Sequence, residues 1–148
     1  MNRPDARRLA EKFFGHMAAG EVDASLGMMT PDAGASLVPL NRHGPMAAHG
    51  AYYLRELARA FPDLVVRIRR LFVTADYTAV AEINIDGTQT EDFLAVTNQE
   101  KHFDLDQAWL LTVTPDDRIS AVIAYWDQNQ LYRRLGVKRL DQITITAG

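Results

Sequence analysis

At Phe61-Pro62-Asp63 the hydrophobic period of the chain changes from helical to extended. Before this point Leu9, Phe13 and Met17 recur at four-residue spacing with Ala10 and Phe14 beside them, and Tyr53, Leu57 and Phe61 repeat the pattern. Such spacing gathers apolar side chains on one helical face. After it the period is two, and residues 64–73, 77–85, 93–96, 103–113 and 119–126 read as consecutive strands. Proline disfavours helical geometry in the residue before it, so Pro62 ends the last long helix at Phe61. Helices followed by a meander of strands define an α+β arrangement, with three helices on one side of a curved antiparallel sheet. A curved sheet closed by helices is cone-shaped, and its hollow is where an apolar ligand is expected.

Punctuation residues set the expected boundaries. Pro4 suits the first position of helix one and Gly20 its C-cap. A short second helix is expected over about residues 23–29, broken by Thr30-Pro31-Asp32. Residues 35–40 suit a brief edge strand that tolerates Pro39, and 41–45 a loop. A third helix spans about 46–61, weakened near Gly50. Asp86-Gly87, residues 97–101 and Thr114-Pro115-Asp116-Asp117 are the expected turns. Residues 137–148 form a C-terminal extension, either a tail or a last strand around Ile143-Thr144-Ile145-Thr146.

The stretch 118–136 reads as a strand running into a short helix. Ile119, Val122, Ile123, Tyr125 and Trp126 fit a half-buried strand. Asp127 sits at a helix N-cap, with Gln130 at capping-box distance. Leu131 and Leu135 share a face, Arg133 and Arg134 load the last turn, and Gly136 stops it.

The 148 residues fit one domain with a proper core. A formal charge of −3 gives no support to a nucleic-acid partner. Cysteine is absent, which excludes disulfides, thiolate nucleophiles and Cys-ligated metals. No apolar run approaches the ~18 residues of a membrane span. The polar start lacks a signal-peptide core, so a cytoplasmic protein is expected. His16, His43, His49 and His102 lack ligand spacing, and no metal is expected. Phosphate loops and nucleophile elbows are missing.

Five motifs occur in order: Ala19-Gly20-Glu21-Val22-Asp23, Ala60-Phe61-Pro62-Asp63, Gly87-Thr88-Gln89-Thr90, Tyr125-Trp126-Asp127 and Leu131-Tyr132-Arg133-Arg134-Leu135-Gly136. With the element order αα-β-α-ββββ they resemble the nuclear transport factor 2-like (NTF2-like) superfamily, closest to its SnoaL-like polyketide cyclase branch, over about residues 5–136. The resemblance implies a cystatin-like, SnoaL-like α+β barrel and a homodimer formed through the outer sheet face. It also implies activities ranging from aldol-type cyclases through ketosteroid isomerases and epoxide hydrolases to pocket proteins without chemistry. Fold alone does not choose among them.

Counted from the shared Leu-Gly ending, the position where the cyclases carry their aspartate acid/base is Ala124, and their histidine falls at Trp109. A glutamine two residues earlier is kept as Gln107, and the family's Gly-Thr-His histidine is Gln89. The isomerase pattern meets Phe13 and Leu37-Val38-Pro39, and the epoxide-hydrolase pattern lacks its aspartate at Ala124. The expected pocket is lined by Phe13, Phe14, Met17, Leu57, Gln89, Trp109, Val122, Ala124 and Trp126, with Gln107, Tyr53 and Asp127 as candidate catalytic residues. Strand alternation turns Gln107, Trp109 and Leu111 inward with Phe103 and Leu105, and Asp104 and Asp106 outward. It also turns Asp127 away from the hollow and makes a cap its simpler role. Glu82 faces outward toward an arginine of Arg67-Ile68-Arg69-Arg70.

The expected function is a cofactor-independent, polyketide-cyclase-like or isomerase-like enzyme acting on a hydrophobic ring or polyene. The alternative is a non-catalytic ligand-binding or assembly module. An enclosed cavity of roughly 300 Å³ where Gln107 and Tyr53 converge favours chemistry. A hollow filled by Trp109 and Trp126 speaks against both ligand readings and leaves an interaction role.

Overall fold

Asp5 rather than Pro4 begins the first helix. In the computed structural model, which describes residues 4–138, the Asp5 side chain accepts from the Arg8 N–H at 3.1 Å and caps α1, Ala6–Ala19. An aspartate that satisfies an orphan donor outcompetes the preference of proline for a first helical position. Gly20, at φ 70°, closes α1 as expected. The short α2 covers Val22–Gly27 and stops before Thr30-Pro31-Asp32.

Those three residues do not break the chain; they lie inside β1, Met29–Leu37. Pro31 is tolerated because the β1 pairing shifts register between Met29 and Gly34, where a missing N–H costs no ladder bond. The expected edge strand over 35–40 is therefore the end of an interior strand. Val38–Leu40 forms a single 3-10 turn, and the expected loop contains β2, Arg42–Pro45, which is the true edge. Helix three begins as a π-helical turn, Met46–Gly50, before α3, Ala51–Ala60. Gly50 leaves room for the Met46 side chain, whose Sδ and Cε would have to shift to admit a Cβ there.

Strands β3 (Val65–Val73), β4 (Thr78–Thr88), β5 (His102–Val113) and β6 (Ile119–Tyr125) follow, and α4, Gln128–Arg134, completes the described chain. Asp86 and Gly87 are not a turn but continue β4, pairing with Asp104 and Phe103. A Gly87 Cβ would lie 3.2 Å from Phe61 Cβ, so the glycine serves close packing. Phe93 and Val96 bridge only each other and form a tight turn instead of a strand. The proposed strand around Ile143 lies outside the described residues.

The six strands run in the order β2-β1-β6-β5-β4-β3. Every neighbouring pair is antiparallel except β1 and β6, which run parallel. The helices pack on one face, and the inward parity of β5 is as expected: Phe103, Leu105, Gln107, Trp109 and Leu111 are all buried. Burying each large apolar side chain here stabilises the fold by roughly 1.5–3 kcal/mol. On the outer face Glu82 meets Arg70 at 3.6 Å, as its parity implies. The buried Asn84 amide donates to both Asp104 and Asp106 at 3.0 Å.

Candidate functional site

Under the helices, α1, α3, β5 and the end of β6 send aromatic side chains to one point. Trp109 packs 5.6 Å from Phe13, 6.0 Å from Phe14 and 6.0 Å from Tyr53, between ring centroids. Trp126 stacks on Tyr53 at 5.1 Å with an interplanar angle of 20°. Two polar groups run through this cluster. Gln107 Nε2 donates to Tyr53 Oη at 2.6 Å, and Trp109 Nε1 donates to Gln107 Oε1 at 3.0 Å. Burial pushes the Tyr53 phenol well above its ordinary pKa, only partly opposed by the Gln107 hydrogen bond, so the hydroxyl stays protonated.

The expected hollow is filled. A cavity wide enough for a ligand would leave its lining accessible, yet Phe13, Tyr53, Leu57, Trp109, Val122 and Ala124 each retain 1% or less of their surface. Two depressions of the molecule touch single members of the site. One of about 590 Å³ runs along β1, β2 and β6 past Gly34, Ser36, Val122 and Ile123, and another borders Arg69, Glu82, Asp106 and Gln107. Neither reaches Tyr53 or Trp109. Trp126 is the exception to the complete burial: it is half-buried, and its indole N–H donates to Gln128 Oε1 at 2.7 Å.

Of the three candidate catalytic residues, the fold joins Tyr53 and Gln107 and leaves Asp127 apart. The Asp127 carboxylate is exposed and accepts from the Asn129 and Gln130 N–H groups at 2.9 and 3.2 Å, which makes it the α4 cap. Phe14 and Met17, expected on the pocket wall, are buried in the core. Gln89 is buried but supports a neighbouring turn: Nε2 donates to Val96 O at 3.1 Å, while Oε1 has no partner. Asp104 and Asp106 remain on the outer face. The Asn84 amide, followed by Arg134, holds the Asp104 carboxyl below the usual carboxylate range. Among the described residues no cluster of three His, Asp or Glu side chains is placed to hold a metal.

Trp109 and Ala124 are direct partners in the β5–β6 register. Ala124 has no atoms beyond Cβ to compete with the indole opposite it. The large and the small residue at these two positions form one packing unit, in which neither side chain ionises.

A second element escaped the sequence reading. Leu94 and Ala95 both adopt left-handed backbone, at φ 48° and 67°, inside the Phe93–Val96 turn. The turn drives Phe93 against Phe61, Tyr53 and Phe103 at 4.9, 6.3 and 6.5 Å. Left-handed turns advertise themselves through glycine or asparagine, and Leu-Ala carries no such signal.

A cone of sheet enclosing an aromatic cluster beneath helices defines an NTF2-like α+β protein. Within that class the chain belongs to the SnoaL-like polyketide cyclase family, whose family model matches residues 8–135. Solved structures agree on the fold. AclR, a candidate hydroxylase from Streptomyces galilaeus, superposes with a TM-score of 0.78 at 15% identity, covering 91% of this chain and 98% of its own. TsrD from Streptomyces laurentii gives 0.76 at 20% identity, covering 93% and 99%. SalBIII, an epoxide hydrolase/cyclase-like enzyme of pyran ring formation in the polyether salinomycin, gives 0.68 at 18% identity, covering 84% and 92%. No curated protein matches the sequence. No helix among the described residues is long and apolar enough to cross a membrane.

Proposed function

We propose that the protein binds a hydrophobic fused-ring or polyene molecule against Tyr53 and acts on it as a cofactor-independent, polyketide-cyclase-like or isomerase-like enzyme. The carrying observation is the Trp126 indole stacked on Tyr53 at 5.1 Å. A planar bicyclic ring already occupies that face, and it belongs to the half-buried member of the cluster. A ligand ring takes this place when Trp126 swings outward at the β6–α4 junction. The Tyr53 hydroxyl then polarises a ligand oxygen in dry surroundings, where one such donor is worth about 3–4 kcal/mol to a developing oxyanion. The rest of the acceleration comes from holding the substrate in a reactive conformer. No aspartate–histidine pair takes part, since Ala124 and Trp109 occupy those positions.

Native mass spectrometry of the freshly purified protein, followed by a crystal structure of any complex, tests this reading. A ring compound seated on Tyr53 with Trp126 displaced supports it; retention of such a compound by Tyr53→Ala overturns it.

A second reading, a non-catalytic assembly module, follows from the filled centre for as long as Trp126 stays in place, and apolar side chains exposed between the charged groups of the outer face favour it. Phe72, Tyr125 and Val65 are 45%, 44% and 41% exposed. Under either reading this face is the proposed homodimer surface.

A further inference from the structure

We infer that Trp109 is a positioning residue that fixes the orientation of the Gln107 amide and thereby makes Tyr53 a hydrogen-bond donor to the ligand. The inference rests on the proposal that ligand meets Tyr53, and it specifies which kind of ligand atom does so.

The two ends of a glutamine amide have nearly the same shape, so packing alone does not orient it. Its partners do. The indole N–H can only donate, and it lies 3.0 Å from Gln107 Oε1. Reversing the amide would set its NH2 group against that N–H and leave two buried donors facing each other. The carbonyl end therefore stays on Trp109, and the NH2 end is directed to Tyr53 Oη at 2.6 Å. Tyr53 must accept this bond, which leaves its own proton to be given elsewhere. Among the described residues no group accepts that proton; the rings around Tyr53 are Phe93, Trp109 and Trp126. Donation from Gln107 also polarises the phenol and strengthens the bond that it offers onward. Phe13 and Phe14 flank the indole and hold its plane. The chain of donors thus runs one way, from Trp109 through Gln107 and Tyr53 to the ligand. The ligand atom that completes it is an oxygen acceptor such as a ring ketone, and a ring hydroxyl that needs an acceptor is disfavoured.

The test compares two probes of similar size, 2-acetylnaphthalene and 2-naphthol, by calorimetry. The wild-type protein is expected to prefer the ketone by roughly three- to tenfold, the range of one net hydrogen bond. In Trp109→Phe the amide is free to reverse and take the Tyr53 proton, so the preference shifts toward the phenol. Equal loss of affinity for both probes would reveal a merely structural role and overturn the inference. Should Trp109→Phe fail to fold, Gln107→Leu keeps the indole and removes the amide. Its ketone preference is expected to fall to near parity, and an unchanged preference overturns the inference. If neither probe binds the wild-type protein, the ligand site on Tyr53 fails, whereas the orientation of Gln107 is still read in the ligand-free protein. Nuclear Overhauser contacts from the Gln107 side-chain NH2 protons to the Tyr53 ring that are strong in the wild type and weaken in Trp109→Phe support it; contacts that persist unchanged in the variant overturn it.

Discussion

Glu56 Oε1 accepts a hydrogen bond from the backbone N–H of Leu94 at 2.8 Å and thereby ties α3 to the turn that inserts Phe93 into the aromatic cluster. Arg59, which also bonds Glu56, donates to Asp92 O at 2.9 Å. Glu56→Ala leaves the nearly buried Leu94 N–H without its acceptor, and a loss of about 1.5–3 kcal/mol is expected. Hydrogen exchange at Leu94 should accelerate more than exchange in β5.

The same turn can be improved. Ala95 sits at φ 67°, a conformation that costs a side-chain-bearing residue about 1–2 kcal/mol, against the ~0.5–1 kcal/mol entropic penalty of glycine. Ala95→Gly is expected to stabilise the protein by about 0.5 kcal/mol, read as a higher urea midpoint at constant m.

The π-helical turn couples two residues. Gly50→Ala sets a methyl group against Met46 Sδ and Cε, and overpacking should cost about 1–3 kcal/mol. Met46→Ala alone leaves a cavity in its place. The double variant is expected to lose less than the two singles together, because the new methyl occupies space the methionine vacates. Chemical denaturation of all four proteins measures the coupling.

Acid should weaken the fold through Asp63. Its Oδ1 accepts from the Thr88 N–H at 2.8 Å, and this bond lowers the folded-state pKa. Such a carboxylate contributes stability above its unfolded pKa of about 3.9 and loses it as pH falls through the lower folded value. Asp104, held down by Asn84 and then Arg134, acts in the same direction. Asp63→Asn keeps an acceptor but removes the titration. Its unfolding free energy should therefore decline less than that of the wild type between pH 6 and pH 3.

Phe72 stands on the outer face, paired with Val80 across β3–β4 and 45% exposed. If this face joins two copies, light scattering gives twice the chain mass for the wild type and a single chain mass for Phe72→Glu. One chain mass for the wild type would refute the dimer.

Much of this architecture was legible because strand alternation is local. Reading Gln107, Trp109 and Leu111 inward and Asp104 and Asp106 outward needed only period two, and the structure obeys it. Asp127 as a cap was equally visible, since the aspartate and the N–H groups it receives are neighbours in sequence. The β1–β2 region was misread because Pro31, Gly34, Pro39 and Gly44 punctuate it as a loop would be punctuated, while distant strands decide its pairing. Asp86-Gly87 carried a turn signal, but tertiary packing on Phe61 used the glycine instead. At the site, parity placed Gln107 on the inner face and helical spacing placed Tyr53 on the apolar side of its helix. The bond between them spans 54 positions, and no local pattern encodes it.

The parallel pairing of β1 with β6 has a consequence for how the chain assembles. Arg118 Nη1 reaches Met29 O across 89 positions, and β6 alone joins the β2-β1 half of the sheet to the β5-β4-β3 half. During synthesis β1 and β2 emerge early and wait as a two-stranded ribbon, too small to hold a hydrophobic face by itself. Until Ile119–Tyr125 leaves the ribosome, two bare strand edges stay open to other chains. Those seven residues act as a keystone, so a nascent chain stalled before them is two unjoined sheets, and the moment of greatest exposure to chaperones falls just before β6 appears.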